Sequence, residues 1–252
     1  MTESEWMECT EPQPMLDLLR GKVSDRKLRL FACACARRLW RLTGGVDGVV
    51  AAGERFADGA GVAERDELMR IRTAQLQQPQ PEILQPPFVM ARQSAADAAW
   101  ALLAEDAWEA ARTAVSAAGV LDYEHASRHP VVEGPATRAE RQVQCAVLRD
   151  VIGNPFRALT ILAVWRTPDV CRLADAIYQE RNLPSGHLER NRVAILADAL
   201  EEAGGSEDVL EHIHGGCSMR SKKKRAARET PGTWREHVRG CWVVDLILSK
   251  DR

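Results

Sequence analysis

Tyrosine and phenylalanine are scarce in this sequence, two and four residues, although tryptophan occurs seven times. Strands draw on aromatic and β-branched side chains, so this shortage, beside alanine-rich runs at 94–101 and 110–118, argues for helices and against an all-β fold. Long apolar runs are missing too. No window approaches the roughly 20 apolar residues that a helix needs to cross a bilayer, which excludes a membrane-spanning helix. A formal net charge of −2 supplies no global attraction to nucleic acid or anionic lipid, so binding of that kind has to come from a local patch. The seven cysteines are odd in number, and the opening MTESEWMECTEP lacks the basic-then-apolar order of a secretory leader. Both features argue against a disulfide framework and lead us to expect a cytoplasmic location. Catalytic signatures are absent as well: there is no G-x-S-x-G, no H-E-x-x-H and no Gly-Lys-Ser/Thr phosphate loop.

What is present is enough to fold. With 252 residues, 45% hydrophobic and 28% charged, the chain can bury one substantial core or two smaller ones. The expected fold class is all-α, a multi-helix globular domain of about ten short-to-medium helices. Thr2 and Glu5 have the spacing of a capping box, and Ser24 or Asp25 can cap a helix whose stripe is Leu28, Phe31, Cys35, Leu39 and Leu42. Residues 89–118 read as one long helix or a broken pair, 137–152 as a further helix, and Thr167-Pro168 as a cap followed by a first-turn proline. Residues 234–250 are read as a last helix, with a strand over Cys241–Leu248 as the alternative. The stretch 78–87 is rich in proline and glutamine and is the clearest linker candidate. It divides an N-terminal helical region, 1–77, from a helical region 88–252 that carries a basic loop at 215–233. Two loosely separated halves, the second built around 148–250, also fit.

The sharpest chemical pattern is His212-x-His214-x₂-Cys217 followed by His237-x₃-Cys241. Imidazole and thiolate suit tetrahedral zinc, and His212, Cys217, His237 and Cys241 are the candidate ligands, although the spacing is not that of a standard zinc finger. The bland alternative is chance proximity, with Cys241 packed as a small hydrophobe. A second candidate is the cationic run holding Arg220, Lys222, Lys223, Lys224, Arg225 and Arg228. Such a run can meet phosphate backbones, but without interleaved aromatics it is weakly specific, and a solvated loop is the favoured explanation. Cys33 and Cys35 lie two apart on a helix and point in different directions, so packing explains them.

Three stretches, EWMECTEPQPMLDLLRGKVSDRKLRLFACACARRLW, LRDVIGNPFR and HVRGCWVVDLILSK, with ILADALEEAGG, together resemble a family of uncharacterised bacterial proteins found as many paralogues in large genomes. The resemblance implies no activity, cofactor or catalytic residue. It does imply a shorter segment before HVRGCW, so the basic run reads as an insertion. The leading expectation is therefore a non-enzymatic helical interaction or regulatory protein with a protein partner. A nucleic-acid-associated protein using the basic loop and a zinc-binding protein using the His/Cys cluster are the alternatives.

Overall fold

Capping chemistry sets where the helices begin. In the computed structural model, which describes residues 1–39, 47–76, 87–120, 134–157, 162–214 and 236–250, Thr2 and Glu5 form the reciprocal capping box that opens α1 (Glu3–Glu8). Pro12 starts α2 (Pro12–Leu19), and the Ser24 hydroxyl accepts from the Lys27 amide at the head of α3 (Asp25–Arg38). Then follow α4 (Asp47–Ala57), α5 (Val62–Leu76) and α6 (Pro87–Ala101). The Asp106 carboxylate accepts from the Trp108 and Glu109 amides and starts α7 (Ala107–Ser116), so the alanine-rich region is a broken pair. The fold is all-α.

The chain divides into two compact units, Met1–Leu148 and Arg149–Arg252. The division falls within α8 (Pro135–Ile152), close to the start of the half read around 148–250; of the proline- and glutamine-rich stretch, residues 78–86 lie outside the described residues. That stretch does not divide the units, because the chief partners of α3 are α4 and α7, which lie on opposite sides of it in sequence. Burying α3 therefore ties both sides into one unit.

Helix α3 is buried on all sides, beyond the single stripe its sequence suggests. Leu28, Phe31, Cys35 and Leu39 are joined inside by Leu30, Ala32, Cys33, Ala34 and Ala36; Leu42 lies outside the described residues. Its charged residues are matched inside the unit. Arg37 makes a bidentate pair with Glu54 at 2.7 and 3.0 Å, and Arg38 pairs with Glu140 at 2.7 and 2.9 Å. Arg29 donates to the carbonyls of Leu102 and Glu105 where α6 gives way to α7, and its guanidinium lies over the Phe56 ring.

In the second unit, the Thr167 hydroxyl caps α9 (Pro168–Gln179) through the Val170 amide. A two-residue antiparallel pair follows, β1 (Arg181–Asn182) and β2 (His187–Leu188), with Arg181 opposite Leu188. It is the one strand pair among the described residues. The Glu189 carboxylate caps α10 (Arg190–Glu202), and α11 (Glu207–Ile213) and α12 (Trp242–Leu248) complete the unit. The final helix is shorter than its sequence suggests, because Val238 bridges to His187 and Gly240 takes a φ of 92°, which a helix cannot contain. Trp165, Ile177, Leu196, Ile213, Trp242 and Ile247 belong to one buried core. Among the described residues, no helix is long and apolar enough to cross a membrane.

The Arg37–Glu54 pair supplies a stability test. Both side chains are buried, so Glu54→Ala strands part of a buried guanidinium and should cost roughly 3–5 kcal/mol. Glu109→Ala, which removes an exposed pair with Arg112, should cost under about 1 kcal/mol. Urea unfolding of the two variants checks the contrast.

Candidate metal centre

Three separate segments deliver four side chains to one point in the second unit. Asp150 lies in the last turn of α8, which Gly153 ends with a φ of 78° and an amide bonded to the Arg149 carbonyl at 3.0 Å. His212 lies in the last turn of α11. His237 and Cys241 flank the turn that leads into α12, closed by the Cys241 amide on the Val238 carbonyl at 3.0 Å, with Gly240 supplying the left-handed residue. The x₃ spacing therefore brings an imidazole and a thiol together through a glycine turn, without a helix. The Leu188 amide donates to the His237 carbonyl at 2.8 Å, fixing the backbone from the β2 side.

One atom from each of Asp150, His212, His237 and Cys241 lies within 4.8 Å of the other three. His237 Nδ1 is 2.6 Å from Asp150 Oδ1 and 3.6 Å from Cys241 Sγ. His212 Nε2 is 3.1 Å from the same Asp150 oxygen and 3.3 Å from Cys241 Sγ. Each imidazole thus turns a single nitrogen toward both the carboxylate and the thiol. In a Cys-His-Asp catalytic relay the two partners take opposite ring nitrogens, so that the base can pass a proton along. Here the atoms converge, which is the arrangement of a coordination shell.

The outer contacts hold this convergence. Asp150 Oδ2 accepts the Val238 amide at 2.9 Å, leaving Oδ1 as the inward atom. His237 Nε2 faces the Ile213 carbonyl at 3.2 Å, which assigns the proton to Nε2 and the inward position to Nδ1. The His212 ring packs 4.8 Å from the Trp242 ring and 5.0 Å from that of His237. Asp150, His237 and Cys241 are buried, and His212 nearly so.

Charge follows from this crowding. Burial pushes the Asp150 carboxyl up, but His237 and His212 beside it hold it well below the usual carboxylate range. Burial and Asp150 push the Cys241 thiol up, and the two imidazoles more than offset them, so it lies below an ordinary thiol. Burial pushes both imidazoles down, yet for His237 the Asp150 charge, and for His212 the Cys241 sulfur, carry them above the usual histidine value. Carboxylate and thiolate are the forms that bind metal, and a metal ion at this point would compete with protons for the same four atoms.

Of the residues singled out by spacing, His212, His237 and Cys241 come together. Cys217 lies outside the described residues, as do Arg220, Lys222, Lys223, Lys224, Arg225 and Arg228. His214 is the residue that ends α11 and is not part of the cluster. Asp150 was not among the expected ligands. Its signal is a carboxylate in the last helical turn, where the dipole disfavours negative charge, about one turn after buried Val147. No protein-family model, curated protein or solved structure matches the chain.

Burial also orders the thiols. Cys33, Cys35, Cys145 and Cys241 are buried and in no disulfide, whereas Cys9 and Cys171 are partly exposed. Brief alkylation of the folded protein, read by peptide mass mapping, should label Cys9 and Cys171 well before these four, and denaturant should remove the difference.

Proposed function

We propose that the protein binds one zinc ion through Asp150 Oδ1, His212 Nε2, His237 Nδ1 and Cys241 Sγ, as a closed structural site in a non-enzymatic helical protein. The observation that carries this reading is the convergence of four ligand atoms from three chain segments on one point, each imidazole presenting the same nitrogen to carboxylate and thiolate. Zinc accepts this mixed oxygen, nitrogen and sulfur set in tetrahedral geometry. Bonds of about 2.0–2.1 Å to nitrogen or oxygen and 2.3 Å to sulfur put tetrahedral neighbours roughly 3.3–3.6 Å apart. The distances of 3.1, 3.3 and 3.6 Å already fall near that range. The Asp150–His237 separation of 2.6 Å has to open by about 0.7 Å, as it does when an ion replaces the proton between two ligands.

Four protein ligands complete the shell, whereas a catalytic zinc keeps a position for water or substrate. This supports a role in stability and favours an interaction or regulatory protein over a hydrolase. Native mass spectrometry of untagged protein purified without chelator should find one zinc per chain, lost on denaturation. Cys241→Ala and Asp150→Asn should weaken zinc binding by more than the roughly 10–100-fold that follows loss of an outer-shell partner. A chain that is metal-free and takes up no added zinc would overturn the reading.

A further inference from the structure

We infer that the ion acts as a folding switch for Arg149–Arg252 and has no comparable hold on Met1–Leu148, so that zinc supply sets whether the second unit is ordered. This rests on the zinc reading above. The ligands are placed inside the unit: Cys241 and Trp242 belong to the same buried core as Ile177, Leu196 and Ile247, and His212 packs its ring on Trp242. Removing the ion leaves a carboxylate, a thiol and two imidazoles crowded against one another in that interior, with the Val238 amide and the Ile213 carbonyl as their outer contacts.

Two of the helices that frame the site are weak alone. α11 and α12 are seven residues each, far below the roughly 12–15 at which an isolated helix becomes marginal in water. α12 also packs through its apolar face, and the Arg166 Nε donates to the Ile247 carbonyl at 2.8 Å. The first unit contains none of the four ligands and has its own core around α3, where buried charge is met by the Arg37–Glu54 and Arg38–Glu140 pairs. Its folding does not draw on the metal.

The experiment is peptide-resolved hydrogen exchange on the full chain, zinc-loaded and after chelation, with metal content measured on both samples. With free zinc held at roughly 100 times Kd, linkage sets protection of the metal-dependent unit about 100-fold above the zinc-free state. Peptides spanning Glu207–Ile213 and Trp242–Leu248 should therefore exchange about 100-fold faster once zinc is removed, while those from Asp25–Arg38 and Ala107–Ser116 stay unchanged. If zinc leaves and exchange accelerates equally in both units, or in neither, the inference is overturned and the zinc site stands. If the loaded sample holds no zinc, the site itself falls and the inference with it. Metal analysis distinguishes these outcomes before any exchange is read.

Discussion

Taking the Asp150 carboxylate out of water costs several kcal/mol unless positive charge and donors are brought to it, and the second unit is organised around that compensation. The Val238 amide binds one oxygen, and the two imidazoles crowd the other. To place them, α11 must end beside α8, the chain must run extended through His237 against β2, and Gly240 must turn it back so that Cys241 begins α12. The short helices and the two-residue strands carry the residues that surround this buried charge.

The two units handle buried charge in different ways. In the first, guanidinium meets carboxylate side by side, as in Arg37 with Glu54, and the pairing is complete with protein atoms alone. In the second, donors and acceptors point inward at a common centre, and satisfying all of them with protons leaves two imidazoles competing for one carboxylate oxygen and one sulfur. On the zinc reading, a divalent ion would resolve that competition with a single particle, and stability that is local in the first unit would be conditional on an ion in the second.

Much of this was legible in the sequence, and the gaps have physical causes. Helix starts at Thr2, Ser24 and Thr167 could be read because a cap is a local event between residues three apart. His212, His237 and Cys241 could be read from ligand chemistry and spacing. Asp150 could not be chosen from 36 acidic residues by type alone, and only its unfavourable place at a helix end sets it apart. The strand pair β1 and β2 is too short to leave a periodic signal, and residues 234–250 carry helical spacing that a single glycine interrupts. The second unit begins beside the start of the half read around 148–250, whereas the proline-rich stretch separates partners that α3 packs together within the first unit.

The order of the ligands along the chain has a consequence for biosynthesis. A ribosome makes Asp150 first and His212 next, and these two alone are a poor trap for a metal ion. His237 and Cys241 emerge together, one turn apart, long afterwards. On the zinc reading, metal loading is a late step of maturation. A nascent or interrupted chain that stops short of His237 would remain recognisable to proteases as unfinished, so one ion would serve as a check that the second unit had been made in full.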